Sequence, residues 1–225
     1  MHDFLHQDTI VALATPPGSS AIGLLRISGT AAFDLAGAFF LPLGAQSPQI
    51  PNKPRKAQFG RWMDGAEALD EVLLTIFPAP HSFTGEDVVE IAFHGSPYIL
   101  SRAIQQLSEA GCRPALAGEF TRRAFVRGKM DLTQAEAIAD LIASESEASA
   151  KLAMQHVKGH FSSRVKAMRD QLIEFASLLE LELDFSEEDV AFADRNQLKR
   201  LLSALQTQIE GLLGSYQMGN AIKHG

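Results

Sequence analysis

A change in hydrophobic periodicity near residue 118 constrains the fold of this chain more than any other sequence feature. Before residue 118, short apolar runs are interrupted by Pro and Gly, a pattern typical of strands and turns. After residue 132, nearly every window repeats apolar residues at helical spacing. We therefore predict an α+β amino-terminal domain with a mixed or antiparallel sheet, followed by an all-α partial helical bundle.

The residues between the two patterns carry concentrated positive charge. Four cations fall within eight positions, namely Arg122, Arg123, Arg127 and Lys129. Like charges this close together are costly unless acidic groups or a ligand compensate them. We interpret residues 118–132 as a cationic interdomain loop and as the first candidate site. It would connect a domain at 1–117 to a helical domain at 133–225.

Apolar runs and turn formers predict the elements of the first domain. The predicted strands are 9–14, 21–28, 57–63, 71–77 and 88–94, and the predicted helices are 31–40 and 97–110. Asp64 and Gly65 are a hairpin signal between two of these strands. The connections are too short for a regular series of parallel strands with crossover helices, which favours a mixed or antiparallel sheet.

Helical signals dominate the second domain. The capping-box spacing of Thr133 and Glu136 predicts a helix that begins at Thr133. Gly159 is predicted to interrupt the helices, and a further helix is predicted after the acidic residues 184–194. Six apolar residues recur at spacings of 4, 3, 4, 3 and 4: Phe161, Val165, Met168, Leu172, Phe175 and Leu179. This narrow seam suits antiparallel packing, and it predicts half of a bundle that further sequence or a second copy completes.

Composition excludes several classes of protein. No apolar run approaches the roughly 20 residues that span a membrane, and the amino terminus has no signal pattern, so we expect a cytoplasmic protein without a membrane partner. The net charge of −7 argues against a protein that coats nucleic acid unaided. Cys112 is the only cysteine, which excludes an intrachain disulfide and predicts a buried or inert thiol.

Two charged residues lie inside otherwise apolar strands. Arg26 needs an acceptor and Glu90 needs a donor, because unpaired charges in such surroundings are strongly disfavoured. The simplest interpretation is that they pair with each other or with backbone groups. The alternative adds Lys129, and the three residues then bind a ligand that has a guanidine-like edge and a carboxylate or carbonyl.

Other candidate sites have weaker support in the sequence. His156 and His160 are one helical turn apart, but no third metal ligand is near them, so we expect surface histidines and no metal site. The acidic residues 184–189 are interpreted as a solvated loop between helices. The basic residues of 118–132, together with Lys53, Arg55 and Lys56, would either contact RNA phosphates or be solvated. The sequence has no phosphate-binding loop of the Gly-x-x-x-x-Gly-Lys-Ser/Thr type.

Five stretches taken together resemble the MnmE family of tRNA modification GTPases, also called TrmE. They are 8–18, 22–29, 82–90, 94–95 and 118–137, and the likeness covers essentially the whole chain. The resemblance implies a folate-binding amino-terminal domain, similar to that of the aminomethyltransferases of glycine cleavage. It also implies a helical domain into which a GTPase domain is inserted, and a homodimer formed through the amino-terminal domain.

The resemblance also implies a ligand and a reaction. The folate-binding arginine, glutamate and lysine of the family fall on Arg26, Glu90 and Lys129, and the ligand is 5-formyl- or 5,10-methylene-tetrahydrofolate. The family, with the flavoprotein MnmG, installs an aminomethyl-type group on the wobble uridine of tRNA. It uses the folate as one-carbon donor and GTP hydrolysis, and Mg²⁺ and K⁺ serve the GTPase part. The resemblance assigns no catalytic residue to this chain.

One departure from the family pattern limits these expectations. The sequence ends about where the phosphate-binding loop of the family begins, so we expect a fragment that does not hydrolyse GTP alone. Two alternatives remain open at this stage. One is a stand-alone folate-dependent transferase with Glu90 or Asp131 as its general base, and the other is a purely structural dimerisation module in which Arg26 and Glu90 form an internal pair.

Overall fold

The computed structural model describes residues 8–184 and 195–224. Its contacts divide the chain into two compact units, with the division between Met130 and Asp131. A mixed sheet with helices forms the first unit and helices form the second, which confirms the predicted fold class. The predicted division into 1–117, 118–132 and 133–225 stays a prediction. None of the described helices is long and apolar enough to cross a membrane.

One mixed sheet is the framework of the first unit. Its strands among the described residues are β1 (Ile10–Leu13), β2 (Ser20–Ser28), β3 (Phe40–Pro42), β4 (Gln58–Asp64), β5 (Glu67–Phe77), β6 (Val88–Gly95) and β7 (Arg113–Pro114). Their order is β3-β4-β5-β6-β2-β1-β7. Every neighbouring pair is antiparallel except β1 with β7, which is parallel.

Apolar packing covers one face of this sheet. The helices of the first unit are α1 (Ala32–Gly37), α2 (Pro97–Glu109) and α3 (Glu119–Val126), and α1 and α2 pack against the strands. Leu25 and Ile27 of β2 and Ile91 of β6 are fully buried in this core. Because side chains alternate along a strand, Arg26 and Glu90 therefore lie on the opposite face.

All five predicted strands occur, with bounds that differ by a few residues. The two strands that sequence analysis missed, β3 and β7, are the shortest, and they are too short to show an alternating pattern. The predicted helix at 31–40 is too long, because α1 ends at Gly37 and Phe40 already belongs to β3 opposite Trp62. A Cβ at Gly37 would lie 3.0 Å from the backbone nitrogen of Ile50, so the chain is closely packed where the helix ends.

The second unit consists of helices over its described residues. They are α4 (Leu132–Ile142), α5 (Glu147–Val157), α6 (His160–Asp184) and α7 (Arg195–His224). Gly159 has a φ of 74° and separates α5 from α6, as predicted. Of the predicted apolar seam, Met168 and Phe175 are buried, whereas the other four members are exposed.

The start of α4 corrects the predicted capping box. Asp131, not Thr133, is the N-cap: its side chain accepts a 2.9 Å hydrogen bond from the backbone nitrogen of Gln134. The Gln134 side chain accepts in return from the backbone nitrogen of Asp131, at 2.9 Å. The spacing of the two candidate boxes is the same, and the aspartate two residues earlier forms the cap.

We therefore predict opposite outcomes for two neighbouring substitutions. Asp131→Ala removes the cap and lowers the free energy of unfolding of the helical unit by about 1 kcal/mol. Thr133→Ala, inside the helix, changes it by less than about 0.5 kcal/mol. Thermal unfolding followed by far-UV circular dichroism measures both. A larger loss for Thr133→Ala would show that the sequence-based assignment of the cap is correct.

Candidate functional site

Arg26 and Glu90 form a cross-strand pair at the centre of the sheet. They are directly opposite each other in the antiparallel register of β2 and β6. The Nε and Nη2 atoms of Arg26 donate to Oε1 of Glu90 at 2.9 and 2.6 Å. The two side chains are 27% and 26% exposed, so the pair is reachable from solvent. The internal pairing that the sequence left open is therefore present.

The pair leaves part of its hydrogen-bonding capacity open. Both hydrogen bonds from Arg26 end on the same oxygen of Glu90. Within the described part of the chain, no donor reaches Oε2 of Glu90 and no acceptor reaches Nη1 of Arg26. A carboxylate accepts at two oxygens and a guanidinium donates through five N–H groups. One acceptor and several donors thus remain for a further partner.

Two aromatic rings border the Arg26 guanidinium. Its central carbon lies 5.6 Å from the ring centroid of Phe83 and 5.8 Å from that of Phe120. Phe83 belongs to the segment 78–87 that connects β5 to β6, and Phe120 belongs to α3. Cations at this distance over an aromatic face are attracted by its quadrupole. The pair is therefore set among flat apolar surfaces on its exposed side.

Lys129 contacts the same connecting segment but not the pair itself. Its Nζ atom donates to the carbonyl oxygen of Pro80 at 2.9 Å. Its aliphatic stem lies 3.3 Å from where a Cβ of Gly85 would be. The structure thus brings Arg26 and Glu90 into direct contact and places Lys129 against the segment that carries Phe83.

The first half of the cationic segment is helical, which corrects the interpretation of 118–132 as a loop. Residues Glu119–Val126 form α3, and Met130 still belongs to the first unit. Acidic residues from distant parts of the sequence meet the arginines of this helix. We call the set the ion-pair network, and its members are Asp8, Glu86, Arg113, Glu119, Arg123 and Arg127.

Arg123 is the centre of the ion-pair network. Its Nη2 atom lies 2.6 Å from Oδ1 of Asp8 and 3.2 Å from Oε1 of Glu119, and its Nη1 atom lies 3.3 Å from Oε2 of Glu86. Arg127 also donates to Glu86, at 2.8 Å. Because Arg123 is buried and compensated by carboxylates, it is not available to RNA phosphates, one of the two roles left open for this cluster.

The network continues into the strand that carries Arg26. The Ser28 hydroxyl donates to Glu86 at 2.7 Å and lies 2.7 Å from the Thr84 hydroxyl. Ser28, Thr84 and Glu86 are all buried. The sequence patterns did not predict this arrangement. The one available signal was the spacing of four residues between Glu119 and Arg123, which places both on one side of a helix.

The Glu119 carboxylate is held ionised inside the protein. Burial by itself raises its pKa, but hydrogen bonds from Arg113, the Leu116 backbone and Arg123 outweigh burial and lower the pKa from 4.5 to about 2. Hydrogen bonds to Glu119 and Asp8 raise the pKa of Arg113 further above its usual range. The Glu119 side chain has no exposed surface, so its charge depends entirely on these partners.

The structure describes most of the weaker candidates from the sequence. No group of three or more His, Cys, Asp or Glu residues in 8–184 and 195–224 could hold a metal ion. His160 is exposed and His156 is half-buried. Cys112 is buried, and burial raises the pKa of its thiol to about 11. Most of the predicted acidic loop, from residue 185 onward, lies outside the described residues.

Two family descriptions match this arrangement of a sheet-based unit followed by a helical one. The family described as the GTP-binding protein TrmE N-terminus matches residues 9–129, and the MnmE helical domain matches residues 132–225. Between them they cover nearly the whole chain. The chain belongs to the MnmE family of tRNA modification GTPases.

Curated relatives carry the same description along the whole chain. A tRNA modification GTPase MnmE of Bacteroides fragilis is 50% identical over 221 residues, which is 98% of this chain and 47% of the relative. The protein of the same name from Porphyromonas gingivalis is 48% identical over 225 residues, which is 100% of this chain and 47% of the relative. The chain therefore spans about half the length of the curated relatives that it matches.

The ion-pair network predicts that the first unit loses stability in acid. Because the folded pKa of Glu119 lies below its usual value, its stabilising contribution is complete above about pH 5 and is lost as the pH falls towards 2. At pH 7, Glu119→Gln should lower the free energy of unfolding by about 3 kcal/mol, since it leaves the buried Arg123 undercompensated. Urea unfolding followed by the fluorescence of Trp62, the only tryptophan, measures this unit.

Glu71→Gln is the matched control for this prediction. Glu71 is an exposed carboxylate of β5 whose nearest cation, Arg61, lies 3.9 Å away. Its loss should change the free energy of unfolding by less than about 1 kcal/mol at any pH. Equal effects of the two substitutions would contradict a stabilising role for the network.

Proposed function

We propose that the first unit binds a tetrahydrofolate one-carbon donor, 5-formyl- or 5,10-methylene-tetrahydrofolate, through Arg26, Glu90 and Lys129. The observation that carries the proposal is the exposed cross-strand pair with an open carboxylate oxygen beside two aromatic rings. A carboxylate oxygen without a donor is a group that an N–H of a ligand can satisfy. Membership of the MnmE family adds independent support.

The chemistry of the side chains fits such a ligand. The amino-pyrimidine edge of a pterin presents paired N–H donors, and the two oxygens of the Glu90 carboxylate can accept them. The cations Arg26 and Lys129 suit the carbonyl and glutamate oxygens of the folate. The one-carbon chemistry is that of the bound folate, while these residues bind and orient it.

We further propose the setting in which this unit works. It acts as a homodimer in the cytoplasm, as part of a GTPase that, with MnmG, places an aminomethyl-type group on the wobble uridine of tRNA. GTP, Mg²⁺ and K⁺ belong to a GTPase part outside the residues matched here, and tRNA is engaged through the complex. The family assignment and the names of the relatives support this setting. Light scattering tests the dimer, and a monomer mass at high concentration would contradict it.

A second candidate function has a specific observation in its favour. The 2.6 Å contact between Arg26 and Glu90 is also what a purely structural pair would show. In that case the two residues stabilise the sheet and the unit serves only in assembly. The two candidates differ in what mutation changes, since a structural pair affects the free energy of unfolding and a binding pair affects ligand affinity.

Titration with 5-formyl-tetrahydrofolate separates these candidates. Glu90→Gln should weaken binding about 10- to 100-fold, because a charged hydrogen-bond acceptor contributes roughly 1.5–3 kcal/mol. The free energy of unfolding should fall by less than about 1 kcal/mol, since the pair is partly exposed. Glu71→Gln is again the control, because Glu71 also opposes an arginine across neighbouring strands and is expected to leave affinity unchanged.

The opposite pattern would overturn the folate proposal. If wild-type protein does not bind 5-formyl-tetrahydrofolate, the function is wrong. If Glu90→Gln leaves affinity unchanged and lowers the free energy of unfolding by several kcal/mol, the structural candidate is correct. Lys129→Met adds a further check, because its loss should weaken binding of the folate while leaving the contact between Arg26 and Glu90 in place.

A further inference from the structure

The surroundings of the Arg26 guanidinium have the features expected of a binding site for a flat, N–H-rich group. The guanidinium is planar, its N–H groups meet a carboxylate, and it lies within 6 Å of the centroids of two aromatic rings. All of these contacts are made by the side chain of a residue in the same chain. They donate to one oxygen of Glu90 in the way that a ligand would.

The amino-pyrimidine ring of a pterin contains the same chemical unit. Its amino-bearing carbon is bonded to three nitrogens, as is the central carbon of a guanidinium. Both groups are flat, both present adjacent N–H donors to a carboxylate, and both stack against aromatic faces. The Arg26 guanidinium and the pterin edge therefore compete for the same binding position beside the Glu90 carboxylate.

We propose that the Arg26 guanidinium occupies the position of this ring when no ligand is bound, and we call it the stand-in. We also propose that Phe83 and Phe120 determine specificity by contacting the ring once it displaces the guanidinium. The inference rests on the proposed folate function and deepens it. On displacement, Glu90 exchanges the N–H donors of Arg26 for those of the ring. The released guanidinium then reaches oxygens elsewhere on the ligand.

The ion-pair network explains why both rings stay in place during this exchange. Phe83 precedes the buried Thr84 and is three residues from Glu86, and Phe120 lies between Glu119 and Arg123 of α3. Each ring is thus attached to backbone that buried hydrogen bonds fix. Arg26 has a long flexible side chain held only by partly exposed contacts, so it is the group that moves.

Exchange is feasible because the contacts that hold Arg26 are weak ones. A salt bridge with about a quarter of each side chain exposed is screened by solvent, and cation–π contacts at exposed positions are modest. A ligand that offers the same donors and a larger flat surface can therefore replace the guanidinium. Glu90 is never left without a donor during the exchange.

Arg26→Met in the 225-residue chain tests the stand-in directly, with pterin and 5-formyl-tetrahydrofolate as separate probes. Methionine removes the competing N–H groups and keeps an unbranched side chain. Pterin, which lacks the glutamate tail, should bind on the order of fivefold more tightly to Arg26→Met than to wild type. The full folate should gain less or bind more weakly, because Arg26 no longer meets its oxygens.

Phe83→Leu and Phe120→Leu test the two rings. Each should weaken binding of both probes by about three- to tenfold, because leucine keeps apolar bulk but has no aromatic face. Phe125→Leu is the matched control, since Phe125 is a 40% exposed phenylalanine of the same helix that the structure does not place against Arg26. Far-UV circular dichroism and Trp62 fluorescence verify that each variant is folded.

The outcomes separate this inference from the proposed function. If wild type binds neither probe, the folate function itself fails. If wild type binds and Glu90→Gln weakens binding as predicted above, the function stands. In that case, weaker pterin binding by Arg26→Met would overturn the role of Arg26 as the stand-in. The role of the rings would be overturned if Phe83→Leu and Phe120→Leu bound both probes with the same affinity as Phe125→Leu.

Discussion

The burial of two carboxylates against three guanidinium groups is the interaction on which the rest of the first unit depends. Glu86 and Glu119 have almost no exposed surface, and removing one partner of a buried ion pair typically costs about 3–5 kcal/mol. The arginines of α3 and β7 must therefore stay in place. Within the described residues, no buried side-chain nitrogen or oxygen lacks a hydrogen-bond partner. This requirement fixes α3 and the segment 78–87 against the strands.

The same sheet that forms the core also presents the candidate site. Alternation along β2 buries Leu25 and Ile27 under the helices and turns Arg26 to the opposite face, where Glu90 of β6 meets it. A shift of one residue in this register would bury both charges and expose the core. The hydrophobic effect thus fixes the position of the Arg26–Glu90 pair together with that of the core. The ion-pair network fixes the two segments that carry the aromatic rings beside the pair.

Much of the first unit could be predicted because its signals are local. Apolar runs bounded by turn formers predicted the five longer strands and the helix at 97–110. The errors arose where distant groups decide the outcome. Residues 119–126 were interpreted as part of an interdomain loop, yet they form a helix whose Arg123 pairs with Asp8 and Glu86, far away in sequence. Asp131 is the N-cap that was expected at Thr133, and the spacing could not separate the two residues because it is the same for both.

The sequence by itself determined the fold class, the change from sheet to helix, and the presence of two charged residues within apolar strands. Each of these follows from the periodicity or polarity of neighbouring residues. Only the tertiary structure decided what those charges touch. The contact between Arg26 and Glu90 spans 64 positions, and the rings of Phe83 and Phe120 reach it from two further segments. Such convergence depends on which strands pair and on ion pairs between distant residues, because these contacts join parts of the chain that are far apart in sequence.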